Sequence, residues 1–143
     1  MCEINEDVPT SPIAISCINM QYIKGLTVIS DDSAYKKFLI ESNASNLLGS
    51  ACDGYVPPII NFNVYHLILI HSSSGGCEKP EISKYFIYNN QTELYEYDLV
   101  FTQKGICKKN QNFFESVLVK KTDIDVSRLT FSSKTIMPER ENR

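Results

Sequence analysis

The residues best suited to chemistry in this chain of 143 are five cysteines, two histidines and a pair of carboxylates two apart. Cys2 follows Met1 directly and opens the polar run Glu3-Ile4-Asn5-Glu6-Asp7. That arrangement reads as a lipid-bearing cysteine at the head of an acidic tether. Cys17, Cys52, Cys77 and Cys107 form an even internal set, as expected of two disulfides in an oxidising compartment. Four cysteines permit three pairings. Cys77–Cys107 is favoured, because both follow a Gly-containing turn, Gly75-Gly76 and Gly105-Ile106. Cys17–Cys52 then remains. The rival reading is a set of free thiols packed as small hydrophobes in a reducing compartment.

The other groups point less clearly to catalysis. His66 and His71 lie five apart on one expected strand, so they face opposite sides and do not share a metal through it. A Cys77–His71 nucleophile pair needs a free thiol, which a disulfide would consume. Glu96 and Asp98 leave one strand face about 7 Å apart, a separation that glycosidases use; the commoner setting is the wet face of a strand. Ser72-Ser73-Ser74-Gly75-Gly76 is Gly-rich but is followed by Pro80 and a strand rather than by the helix a phosphate site relies on. Ser73, Ser74, Gly75 and Gly76 are instead candidates for backbone contacts with a partner. No metal site and no cofactor is expected. Asn43-Ala44-Ser45 and Asn90-Gln91-Thr92 are glycosylation sequons, which matter only in a eukaryotic secretory protein.

Bulk properties narrow the class. A net charge of -3 argues against a nucleic-acid binder and gives no attraction to anionic lipid. No apolar run reaches the ~18 residues of a membrane helix. A hydrophobic share of 43% and a charged share of 22% are ordinary for a globular fold.

These residues need elements to hold them. Residues 1–12 are polar and carry Pro9 and Pro12, so a disordered tether is expected. Residues 13–137 read as a single globular domain and 138–143 as a frayed tail. Tyr22, Ile23, Leu26, Val28 and Ile29 suggest early strand structure. Ser30-Asp31-Asp32-Ser33 supplies N-cap chemistry for a helix from Asp32 to about Ser42, with Tyr35, Phe38 and Leu39 as its apolar stripe. Asn43 to Pro58 reads as a loop. Val64 to His71 is nearly continuous in apolar residues, as in a strand covered on both faces. Ile82 to Tyr88 is a strand, and Asn89 to Thr92 a hairpin turn. Tyr95, Tyr97, Leu99 and Phe101 alternate with Glu96, Asp98 and Val100, a half-buried strand. A polar loop, Gln103 to Asn112, carries Cys107. Phe113 to Lys120 and Leu129 to Ile136 complete the set. The expected fold class is α+β, mainly β: an antiparallel, sandwich-like meander with one short helix.

Several segments together resemble a known group. Pro58-Ile59-Ile60-Asn61-Phe62-Asn63-Val64-Tyr65 resembles the P-x-I-D-F-x-x-Y entry to an apolar strand in small lipoproteins of Gram-negative bacteria. Those lipoproteins are similar to the C-terminal domain of PrcB-type protease-complex subunits. Ser74-Gly75-Gly76-Cys77, Lys104-Gly105-Ile106-Cys107 and Ile29-Ser30-Asp31-Asp32-Ser33-Ala34-Tyr35 resemble further elements of that group, in order, over about Val28 to Lys121. Asn61 stands where Asp is usual, and Phe113 to Lys120 lacks the group's Trp and Pro. The resemblance implies an accessory domain that stabilises or docks a secreted protein, and it transfers no catalytic residue. The expectation is therefore a non-enzymatic binding domain. It would be anchored to the outer membrane through Cys2, facing the periplasm or the exterior, with another protein as partner. An envelope hydrolase using Glu96 and Asp98 is the alternative.

Overall fold

The computed structural model describes residues 5–43 and 52–137. Among these residues, eight strands and one α-helix follow in the order β1 (Glu6–Asp7), β2 (Ser11–Pro12), β3 (Gly25–Ile29), α1 (Asp32–Glu41), β4 (Tyr65–Ser74), β5 (Glu78–Asn89), β6 (Leu94–Lys104), β7 (Gln111–Lys120) and β8 (Leu129–Ile136). The strands form two four-stranded sheets, ordered β1-β5-β6-β8 and β2-β7-β4-β3. The α+β, mainly β class holds. The meander order does not, because consecutive strands change sheet at β1/β2, β4/β5, β6/β7 and β7/β8. β8 also joins β6 in parallel, from Tyr95↔Leu129 to Thr102↔Ile136. A parallel neighbour needs a long crossover, and residues 105–128 supply it.

Contacts divide the chain into two compact units, where the sequence suggested one domain over 13–137. The first comprises Met1–Val8, Ser72–Phe113 and Val126–Arg143; the second comprises Pro9–His71 and Phe114–Asp125. Of the segment read as a tether over 1–12, residues 5–12 instead carry β1 and β2, and Val8 is buried. Glu6 and Asp7 gain backbone partners on Tyr88 and Ile87, so polar side chains there do not prevent strand pairing. The tail at 138–143 lies outside the described residues.

In the second unit, β4 is buried on both faces, with Leu67, Ile68, Leu69 and Ile70 at zero exposure. Leu67 and Leu69 join Ile15, Ile23, Ile29, Tyr35, Ile60 and Phe62 in one cluster. α1 begins where expected. Asp31 Oδ1 accepts the Ala34 N–H at 2.7 Å, and Asp32 places negative charge in the first turn. Its stripe packs as read: Tyr35 is buried, and Phe38 and Leu39 lie against the cluster. Tyr35 donates its hydroxyl to the Pro58 carbonyl at 2.8 Å. Burial, with the Tyr55 phenol in support, pushes its pKa up to about 12, so it stays a donor. Cys17 and Cys52 are bonded, with Cα atoms 5.6 Å apart.

In the first unit, β5 and β6 form a long antiparallel hairpin. Tyr97, Leu99 and Phe101 turn inward, and Phe86 and Tyr97 meet at a centroid distance of 5.0 Å. The register shifts between Glu78 and Glu81, around Pro80, which has no N–H to give a ladder. The hairpin turn differs from the reading. Asn89 keeps strand geometry and its side-chain oxygen accepts the Gln91 and Thr92 N–H groups, while Glu93 takes the positive φ of 58°.

Leu69→Ala is expected to lower the unfolding free energy by about 2–5 kcal/mol, whereas the exposed Ile59→Ala should change it by less than about 0.5 kcal/mol. Chemical denaturation of the oxidised protein measures both.

Candidate functional site

The two polar connections carrying Cys77 and Cys107 meet at one end of the first unit. The cysteines are bonded, with Cα atoms 4.7 Å apart. Backbone bonds reinforce the joint: Cys77 N–H donates to the Lys104 carbonyl at 2.7 Å, and Gly76 N–H to the Cys107 carbonyl at 3.3 Å. Gln103 donates its amide to the Gly105 carbonyl at 2.9 Å, and Gln111 donates to the Gly76 carbonyl at 3.2 Å. Two glycines make this approach feasible. Gly105 sits at φ 80°, and a Cβ there would stand 2.5 Å from Cys77 Sγ. Gly76 sits at φ 132°, with the Lys104 carbonyl 3.0 Å from where its Cβ would be. A side chain at either position would clash or strain the backbone.

This packing divides the sequence candidates. Ser73 is exposed, but Ser74 and Gly76 are buried and Gly75 is half-buried. Ser74 donates its hydroxyl to the Gly75 carbonyl at 3.2 Å. Ser74, Gly75 and Gly76 thus shape the joint, and the surface comes from the other connection. Lys104, Gly105, Ile106, Lys108 and Lys109 are exposed, as is Lys79 two residues beyond the bonded Cys77. Ile106, at 71% exposure, forms the apolar tip. The sequence reading named the loop at 103–112 but not these side chains. The signal was present in the run Lys104-Gly105-Ile106-Cys107-Lys108-Lys109.

The remaining candidates are dispersed. Glu96 accepts from the Asn89 amide at 3.3 Å, and Asp98 accepts the Ser132 hydroxyl at 2.6 Å. Both carboxylates are half-buried on the polar face of β6. His71 Nδ1 lies 2.9 Å from the Ile23 carbonyl. Cys77 is consumed by its bond to Cys107, so the Cys77–His71 nucleophile reading falls. Among the described residues, no group of three or more His, Cys, Asp or Glu is arranged to hold a metal ion. Cys2 lies outside the described residues, as do Ala44 and Ser45 of the first sequon.

The second unit holds two features that the sequence reading missed. Ser30 Oγ and His66 Nδ1 share a hydrogen bond of 2.7 Å, and Lys121 Nζ donates to the Ser30 carbonyl at 3.0 Å. Burial, helped by the Lys121 charge, lowers the His66 pKa from its usual 6.5. Ile40, Val56 and Ile59 are strongly exposed, at 77%, 80% and 98%. Ile40 and Ile59 border concavities that share Leu39 and Pro57 in their linings. Compared with protein-family models, curated proteins and solved structures, the chain matches none of them.

Two outcomes follow from this geometry. Gly105→Ala should destabilise the oxidised protein by about 1–3 kcal/mol, because it adds both a clash and a strained φ. Gly54→Ala, also at positive φ but with open space around it, should cost less in the same denaturation experiment. Because the His66 pKa is lowered in the fold, the unfolded chain binds more protons as pH falls through the ordinary histidine value. Stability should therefore fall as pH drops below about 6.5, and this contribution should level off beneath the lowered folded value. In His66→Gln, denaturation midpoints measured across that window should fall less than in the wild type.

Proposed function

We propose that this chain is a non-enzymatic binding or accessory domain, held at the cell envelope by lipid on Cys2, that presents the stapled end of its first unit to another protein. One observation carries the reading. β1, the N-terminal segment, pairs with Ile87 and Tyr88 beside the β5–β6 turn. The Cys77–Cys107 joint closes the opposite end of that hairpin. The eleven residues of β6 separate the two ends by about 33 Å, at ~3.3 Å per residue. A domain tethered through its N-terminal segment would hold the cross-linked loops away from the membrane.

Two further features support an envelope address and a docking role. Both internal cysteine pairs are at disulfide distance, which suits an oxidising compartment. The stapled loops are pre-ordered by covalent and backbone bonds, so less conformational entropy is lost on binding. This agrees with the resemblance to small Gram-negative lipoproteins, whose implied role is to stabilise or dock a secreted protein. An outer-membrane anchor, with the domain facing the periplasm or the exterior, completes the reading.

Expression of the protein as its gene encodes it, in an envelope-bearing host, tests the anchor. The wild type should fractionate with membranes and carry acyl chains on Cys2 by mass spectrometry. Cys2→Ser should move to the soluble fraction with its fold intact. Membrane association unchanged by Cys2→Ser would remove the lipid from the proposal.

A further inference from the structure

The exposed chemistry of the stapled end specifies its partner more narrowly, an inference that rests on the binding-domain reading above. Lys79, Lys104, Lys108 and Lys109 all stand within three residues of Cys77 or Cys107 in sequence. Among the described residues none of the four ammonium groups is ion-paired. Within the same three-residue windows the one carboxylate is Glu78, the register partner of Lys104, and Glu81 follows opposite Thr102. This local excess of positive charge runs against a chain whose net charge is -3. The opposite end of the same hairpin carries the acidic residues Glu6, Asp7 and Glu93, the last paired with Arg128 at 3.4 Å. The first unit is therefore polarised along its strands, basic at the staple and acidic at the turn.

Charge alone would suit any polyanion. The tip adds a second requirement. Ile106 projects between Gly105 and Cys107, held by the Gln103 bond to the Gly105 carbonyl and by the disulfide. What sets Ile106 apart from the other exposed apolar side chains is its place in a lysine run on a cross-linked loop, where it offers the apolar contact that a pocket on a protein partner receives. A glycan or a nucleic-acid backbone offers charge without such a pocket. An anionic membrane offers both, but the N-terminal segment enters at the other end, about 33 Å away along β6. We infer that the stapled end docks an acidic protein surface, in which Ile106 fills an apolar pocket and Lys104, Lys108 and Lys109, with Lys79, face surrounding carboxylates.

The test uses the purified, disulfide-intact full chain and three probes: a labelled short peptide of alternating Glu and Leu, its Gln-for-Glu counterpart, and phosphatidylglycerol vesicles. The expected result is binding of the Glu peptide that weakens as salt rises. K104E/K108E/K109E should weaken it by about tenfold or more, and Ile106→Ser by several-fold. The Gln peptide should bind about tenfold less tightly than the Glu peptide. K36E/K37E, on α1 in the other unit, should bind as wild type does. Circular dichroism verifies that each variant is folded. Equal binding by wild type and K104E/K108E/K109E would overturn the inference. Vesicle binding with the same Lys and Ile106 dependence, in place of peptide binding, would overturn it in favour of a membrane-reading loop. The anchor is not needed for any of these measurements. A failure here leaves the Cys2 result standing, and a failure of the anchor leaves this result standing.

Discussion

The close approach of Gly105 to Cys77 is the constraint on which the candidate site depends. The sulfur occupies the space a β-carbon would need, and the backbone there is in a region that side chains disfavour. Only with that contact made can the 72–77 and 104–111 connections share their carbonyls and amides. The disulfide, the Cys77–Lys104 bond and the two glutamine amides then hold one arrangement. Closing a loop of about thirty residues contributes roughly 3.5 kcal/mol in the chain-entropy account. The larger consequence is geometric: a polar, lysine-rich connection becomes a fixed surface.

The strands determine where that surface is displayed. β5 and β6 pair over nearly their whole length, so their turn and their open end are far apart. β1 occupies the turn end and the staple the open end. The burial pattern keeps this hairpin in register, because a shift by one residue would expose Tyr97, Leu99 and Phe101 and bury Glu96 and Asp98. The same face assignment explains the carboxylates. Glu96 and Asp98 are paired with Asn89 and Ser132 on a sheet face, an arrangement suited to strand neighbours.

Local reading succeeded where neighbours in sequence determine the outcome. The Asp31 cap and the Tyr35, Phe38, Leu39 stripe follow from helix geometry, and α1 lies within a residue of its expected bounds. The alternation from Tyr95 to Phe101 is visible because the half-buried face of the strand carries Glu96 and Asp98 while the buried face is apolar. β4 was visible as an apolar run because both its faces are covered. Reading was weaker where distant segments supply the missing partner. β1 and β2 are two-residue strands with no pattern of their own, and only pairing with β5 and β7 makes them strands. The Ser30–His66 bond joins residues 36 apart in sequence, and no local signal announces it.

Composition and spacing alone established a mainly β chain with one capped helix, an even internal set of cysteines and a flagged pair of glycine-bearing connections. These follow from side-chain periodicity, capping chemistry and residue counts, all of which are local. The tertiary structure alone decided that β8 lies parallel to β6, that Ser74, Gly75 and Gly76 serve as scaffold, and that Ile106 and its lysines face outward. Exposure depends on what packs behind a residue, and in the stapled loops what packs behind comes from the other side of a disulfide.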